Sequence, residues 1–557
     1  MRRAACAFAA AVLFAGCGPS HPAAEWMLVG ADVWTGDSLL PRATTIAGSG
    51  DTIVFVGDSS EARQWVDART VVRDAGGRLV IPGLNDAHLH VGERVPVVIV
   101  FAGDSTDPHP NPSLSEALAL LRAAGAATPG PMLRMRVGER ILADPRARRS
   151  TLDAVIPWRP VILTGWPGHG AVLNGAALEF FGISDSTSDP LGGVIERTGA
   201  SGRPSGLLKE YAWWNAWRNK EAEMPDSVAT REWHALATEA LSYGITSVQV
   251  FAEFPDARRE LEVVCAAAVP LRVRLVDFPT TSAHGRERTA LSAARCHDPA
   301  RRVRLSGVKY ILDGTPVERL AFVTAPWADR PGTRGAANFS LDSLTAWLRE
   351  ARALGIQPQI HAVGDSAVQL VLAALEGAGS DADWRALRPR IEHGDFITPA
   401  QLTRLRELGG VIVQNPAHLS IADMMQSRTG GRSAPLQPLR SLDSADVHFA
   451  IGSDGPLNPF LNLMLATVHP VSPPEALSRE RALRAYTAGS AFAEAEEARK
   501  GVLRVGAFSD LAVLSQNVLD VTPQELPATR SVFTMVGGRV AYDDGTIADL
   551  RGGASRK

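Results

Sequence analysis

Two histidines separated by a single residue are the first chemistry in this chain. They end the run Pro82-Gly83-Leu84-Asn85-Asp86-Ala87-His88-Leu89-His90, which follows the apolar Leu79-Val80-Ile81. On a strand, residues two apart project to the same side, so His88 and His90 can present two imidazoles to one metal ion. Neutral imidazole is a common ligand for zinc and similar metals. A chain with 13 histidines also produces such pairs by chance; what singles this one out is its place at a strand end, where a loop begins. Three more polar residues end apolar runs in the same way. His361 closes Gln357-Pro358-Gln359-Ile360-His361, His393 closes Arg390-Ile391-Glu392-His393, and Asp454 closes Phe449-Ala450-Ile451-Gly452-Ser453-Asp454, each with a glycine close behind. Any one of them suits a structural role as well as ligation. In the order HxH, His, His, Asp they describe a metal centre.

Groups at the ends of separate strands meet when the strands are parallel and closed into a barrel, whose C-terminal rim gathers catalytic residues. The middle of the chain has that pattern. Strand-like runs at 160–164, 245–250, 308–312, 358–361, 411–413 and 449–451 alternate with helix-like segments such as 341–354, with Ser340 as N-cap, and 399–408. Such alternation implies an α/β fold with a parallel sheet, here a (β/α)8 TIM-type barrel over 81–499. That span exceeds a plain barrel, so an insertion is expected. Residues 165–220, with Gly192-Gly193, Gly199, Gly202 and Gly206, read as irregular structure laid over the site. Both chain ends read as short strands, at 27–33, 53–56 and 79–81, then 511–514 and 532–540 with Gly537-Gly538 as a hairpin turn. Residues 26–80 and 500–550 are therefore expected to form one small β-sandwich domain.

With 45% hydrophobic and 21% charged residues and a net charge of −3, the composition is that of an ordinary globular protein. No basic patch or charge run points to nucleic acid. The N-terminus reads as an export signal: Arg2 and Arg3, then an apolar stretch over 4–16 too short to span a membrane, then Cys17. Phe14-Ala15-Gly16-Cys17 resembles a bacterial lipobox, which makes 1–17 a lipoprotein signal and 18–25 a tether. An ordinary cleaved signal peptide is the alternative, and both send the chain out of the cytoplasm. Lipidation would leave it anchored on the periplasmic side, with Gly18 favouring the outer membrane. That anchor is the sole membrane contact expected. Of four cysteines, only Cys265 and Cys296 remain for the mature domain. One disulfide between them fits an exported protein, but their spacing leaves the pairing open.

The ordered set of strand-end ligands resembles the amidohydrolase superfamily, with residues 81–90 matching its first-strand motif. Gly168-His169-Gly170 with Asn174, Leu191-Gly192-Gly193, Gly206-Leu207-Leu208-Lys209-Glu210 and Gly244-Ile245-Thr246-Ser247-Val248-Gln249 are similar to its amidohydrolase-3 or YtcJ-like branch. So is the return through Lys500-Gly501, Val505-Gly506 and Ser509-Asp510-Leu511-Ala512-Val513-Leu514. The resemblance implies hydrolysis of a small-molecule amide, or another non-peptide C–N bond, by a metal-activated water. It implies one or two divalent ions, with zinc the default for His and carboxylate ligands. In binuclear relatives a lysine placed like Lys309, in Gly307-Val308-Lys309-Tyr310-Ile311, is carboxylated and bridges two metals. His88, His90, Lys309 and Asp454 would then hold one ion, and Lys309, His361 and His393 the other, with Asp454 as proton carrier.

Alternatives stay open at each of these positions. Lys309 also suits an ion pair with Asp313 or Glu318. Glu210 is the rival bridge, or a solvated or supporting carboxylate. His169 and Trp166 are expected at the substrate, with Glu210 beside them, although a surface loop suits His169 equally. Trp213, Trp214 and Trp217 suit a pocket wall or a core. Asp86, Asp365 and Glu392 are candidates to orient imidazoles. Strand alternation makes Glu392 the weakest of these, since it should face away from His393. His418 reaches the pocket from a loop without being a ligand. The competing functions are a mononuclear deaminase-like hydrolase, using His88, His90, His361 and Asp454 with His393 on the attacking water, and an exported lipoprotein that only binds a ligand.

Overall fold

The computed structural model describes residues 23–550, apart from 106, 108, 128–130, 200–201, 288–292, 298–301 and 432–435. Cys17 and the expected export signal lie outside the described residues. Eight parallel strands follow one another around the core: Leu84–Leu89, Ile245–Phe251, Arg272–Asp277, Val303–Ile311, Pro358–Ala362, Arg390–His393, Val411–Gln414 and His448–Ile451. The ring nearly closes between the last and the first. Asp454 N–H donates to His88 C=O at 2.9 Å, and Ser453 N–H to Asp86 Oδ1 at 2.9 Å. Gly452 permits this approach, because a Cβ there would stand 2.3 Å from the His88 nitrogen. Asp86 also accepts from the hydroxyls of Ser453 and Tyr486. It clamps the seam and does not orient an imidazole. Asp365 likewise serves structure, accepting from Thr324 N–H at 2.8 Å.

Helices between the strands follow local signals. Ser340 caps Leu341–Ala353 by accepting from Ser343 N–H, and Thr398 with Gln401 forms a capping box before Pro399–Glu407. One barrel strand, Arg272–Asp277, had no counterpart among the expected runs. Its alternation of Arg with apolar residues reads as a half-solvated strand, yet every residue in it is buried. Arg274 and Arg390, from separate strands, both donate to Gln249 Oε1 inside the barrel, so part of the lumen is polar and internally bonded.

Segments from both ends of the chain build two smaller sheets. One orders Ala548–Asp549, Val71–Asp74, Trp26–Val29, Thr45–Ser49 and Thr52–Gly57. The other orders Arg539–Asp543, Ser531–Val536, Leu511–Leu514, Leu79–Pro82, Asp32–Trp34 and Arg42–Ala43. Trp26, Ile46 and Ile53 of the first share a core with Val33, Val80, Val513 and Phe533 of the second. The expected strand 27–33 is thus two strands in two sheets, broken at Gly30, whose φ of 60° turns the chain from one to the other. Gly537 and Gly538, at φ 58° and 72°, form the hairpin turn.

The insertion differs from its expectation. The described residues of 165–220 contribute strands and helices to a six-stranded layer that starts well before them: Gly193–Thr198, Arg203–Glu210, Gly170–Leu173, Val161–Gly165, Leu133–Val137 and Val98–Ile99. The run at 160–164 belongs to this sheet and not to the barrel. Of the glycines that suggested irregularity, Gly192, Gly199 and Gly202 sit at positive φ in the connections, Gly206 at a bend inside a strand, and Gly193 opens a strand. They punctuate a sheet rather than dissolve it.

Cys265 and Cys296 are paired, joining the end of helix Ala257–Ala267 to the segment before Val303–Ile311 across 31 residues. Closing a loop of that size is worth about 3–4 kcal/mol in the unfolded chain. Reduction is expected to lower the unfolding free energy by that margin, read as a drop in the urea midpoint between parallel denaturation curves with and without reductant; coincident curves would refute it. Among the described residues no helix is long and apolar enough to cross a membrane.

Candidate metal centre

Three imidazoles surround one carboxylate at the C-terminal rim. His88 is buried, and its Nδ1–H donates to Glu392 Oε2 at 2.7 Å. His90, one step past the strand end, is more open and donates from Nδ1 to Glu253 Oε1 at 3.0 Å. His393 donates from Nδ1 to Asn415 Oδ1 at 2.9 Å; the Asn415 amide nitrogen donates to Gly452 C=O, which sets which end of that side chain accepts. Holding each ring at Nδ1 leaves each Nε2 a free acceptor. All three Nε2 atoms face Asp454, at 3.5 Å from His88, 3.6 Å from His90 and 3.9 Å from His393. Donor atoms of His88, His393 and Asp454 lie within 4.8 Å of one another.

Backbone geometry explains why alternation misjudged Glu392. His393 has a φ of 71° and Asp454 a φ of 48°, both in the left-handed region. At His393 the chain leaves the strand path, so both Glu392 and His393 reach the centre. Glu392 lies in the barrel, gripped by Arg390 at 2.8 and 2.9 Å, and is the orienting partner of His88. Glu253 and Asn415 were not singled out from sequence. Each lies just beyond a strand, Ile245–Phe251 and Val411–Gln414, and that position was the available signal. Glu253 is itself steadied through its backbone: its N–H and that of Phe254 donate to Glu260, whose other oxygen takes the buried Arg94 guanidinium.

The remaining expected residues fall around this group. The His361 ring is 4.5 Å from that of His393; its Nε2 is buried without a hydrogen-bond partner, 3.7 Å from Asp313 Oδ1. Lys309 is buried with Nζ 3.8 Å over the Phe251 ring, and it makes no ion pair among the described residues. Asp313 instead accepts the N–H groups of Phe322, Val363 and Gly364, and Glu318 takes the Thr315 hydroxyl. Glu210 places both oxygens on His169 Nδ1, at 3.1 and 3.2 Å, and accepts from Asn338. It therefore orients His169. His169 is buried, with its ring 5.1 Å from His361 and 4.9 Å from Trp214. Trp213 and Trp217 belong to the insertion's core, whereas Trp166 contacts His109 at 4.5 Å. His418 stacks on His393, with Nε2 3.5 Å from Asp454 Oδ2.

Electrostatics suit a cation. Burial pushes the His88 pKa down to about 4, with the Lys309 charge adding to it. Burial likewise holds His361 and His393 well below the usual range, so these rings are neutral and free of a competing proton. Burial alone would raise Asp454; the adjacent His88, His418 and His393 outweigh it and keep the carboxyl ionised. Lys309 is lowered by burial to about 8, which gives it an appreciable neutral fraction near neutral pH. Neutral imidazoles, a carboxylate and an unpaired His361 Nε2 are a donor set that fits a divalent metal. Glu392→Gln is expected to weaken metal binding by about 10–100-fold, because His88 loses its charged partner; unchanged affinity in a chelator competition would show that Glu392 orients nothing.

Comparison with known proteins gives the family. Residues 71–542 match the model of the Amidohydrolase family. The chain is 28% identical over 550 residues to N-substituted formamide deformylase of Arthrobacter pascens, covering 93% of this chain and 98% of that one. An uncharacterised metal-dependent hydrolase from Pyrococcus horikoshii has the same fold, with a TM-score of 0.69 at 21% identity over 90% of this chain and 99% of that one. Atrazine chlorohydrolase TrzN from Arthrobacter aurescens, solved with zinc, aligns with a TM-score of 0.51 at 16% identity over 93% and 95%. A non-catalytic lipoprotein is thereby set aside: this chain belongs to the amidohydrolase family of metal-dependent hydrolases acting on carbon–nitrogen bonds.

Proposed function

We propose that the chain hydrolyses a small N-substituted amide, of which an N-substituted formamide is the first candidate, at a binuclear centre. The convergence of three anchored imidazoles on Asp454, with Lys309 and His361 alongside, carries this reading. The formamide deformylase relative, similar over nearly all of both chains, supports the substrate class. His88, His90, Lys309 and Asp454 would hold one ion, and Lys309, His361 and His393 the other. Zinc is the first choice, in keeping with the ligand types and with the zinc in TrzN. Bound metal would polarise the scissile carbonyl and make water nucleophilic near neutral pH.

The chain's own groups supply the proton path. Asp454, whose Oδ1 faces His88 and His90 and whose Oδ2 faces His393 and His418, accepts a proton from the attacking water and returns it to the departing nitrogen. His169, held by Glu210, stands on the far side of His361, where it can donate to the substrate oxygen. Lys309 Nζ adds to CO2 through its lone pair and releases a proton to solvent, which leaves a carbamate with two oxygens for bridging. Export with a lipid anchor at Cys17, on the periplasmic side, is part of the proposal, and the Cys265–Cys296 disulfide supports an oxidising compartment.

Metal analysis with an amine-release screen of N-substituted formamides, N-acyl amino acids and cyclic imides tests the reading. Two equivalents of metal and turnover of a formamide are expected. One equivalent with turnover would favour the mononuclear reading. No turnover of any amide by metal-replete protein would overturn the proposed substrate class.

A further inference from the structure

At the opposite end of the barrel from the metal centre lies a second concavity of about 280 Å³. Arg272 opens one parallel strand and Arg304 stands one residue into the next, so this is the floor of the barrel. Six cationic side chains line the recess, Arg272, Arg295, Arg302, Arg304, Arg499 and Lys500, against two acidic ones, Glu494 and Glu496. Part of the charge is neutralised in place. Arg304 is held by Glu494 at 2.6 Å and by Glu496, Lys500 Nζ lies 2.9 Å from Glu494, and Arg272 is gripped from behind by Asp510 and Asp51, both at 2.6 Å. These pairs make a rigid wall of guanidinium groups.

Two of the other cations are more open. Arg295 and Arg499 make no ion pair among the described residues. Arg499 lies 3.9 Å over the Phe508 ring, which also carries Arg272 at 3.6 Å, and its polar contact is with the Thr52 hydroxyl at 3.4 Å. One aromatic ring thus gathers two guanidinium groups at the edge of a concave space. Converging like charges in a recess focus the field and concentrate an anion. The flat donor fork of arginine matches the tetrahedral oxygens of phosphate.

We propose that the barrel floor binds a phosphate-type oxyanion, with room for a small organic group on the ester oxygen. The site is separate from the catalytic centre, so its ligand is not expected to compete with substrate. A free phosphate ester and the headgroup of an anionic lipid present the same chemistry.

Calorimetric titration of the full chain at low salt with inorganic phosphate and with glycerol 3-phosphate tests the soluble source. Sedimentation with phosphatidylglycerol against phosphatidylcholine vesicles tests the lipid. Saturable binding to one probe is expected, weakened about tenfold by Arg499→Gln and by Arg295→Gln, as for loss of a charge-assisted hydrogen bond, and unchanged in Asp454→Asn. Thermal midpoints check that each variant is folded; Arg295, being exposed, can be replaced without touching the core. Binding to soluble phosphates assigns a free ester, and arginine-dependent binding to phosphatidylglycerol alone assigns the headgroup. No binding to any probe, or binding untouched by both substitutions, overturns the site.

Discussion

Asp454→Asn is expected to lower kcat by about a thousandfold, the range set by loss of a positioned acid–base group. The substitution keeps the shape of the side chain and leaves the Asp454 N–H bond to His88 C=O in place. What it removes is a proton acceptor 3.5–3.9 Å from His88, His418 and His393. The measurement pairs kcat with metal content, since the carboxylate is also a proposed ligand. Lost metal together with lost turnover would make Asp454 a ligand first. Full metal occupancy with wild-type turnover would remove it from the mechanism.

Lys309→Met is expected to reduce bound metal from two equivalents to one and to cost at least about a hundredfold in kcat/KM, as for removal of one preorganised electrophile. Methionine keeps an unbranched chain of similar length against Phe251, so packing at this buried position changes little. The test includes a readout besides activity. Wild-type protein equilibrated with 13C-bicarbonate should show a carbamate resonance that the variant lacks. Two metals in the variant, or no carbamate signal in the wild type, would return Lys309 to a structural role, with its ammonium resting on Phe251.

Local pattern made the rim legible because strand position and pleat are local properties. His88 and His90, His361, His393 and Asp454 were each found from an apolar run that stops at a polar residue, and the structure brings them together. The small sheets at the two ends were likewise readable from alternation and glycine turns. Errors arose where backbone or partners depart from the local rule. Alternation ranked Glu392 last, but the positive φ of His393 breaks the pleat and puts both residues to use. Arg272–Asp277 passed unnoticed because its arginines are made buriable by Asp510, Asp51 and Gln249, partners distant in sequence.

By itself, then, the sequence determined the ordered set of candidate ligands and the strand–helix scaffold able to gather it, since spacing and periodicity are short-range signals. Which nitrogen each imidazole offers was decided only in three dimensions, because Glu392, Glu253 and Asn415 reach their histidines from other strands. The same holds for Lys309, whose pKa is lowered because burial beside Phe251 outweighs the opposing pull of the Glu392 and Asp454 carboxylates, an environment that no window of sequence contains.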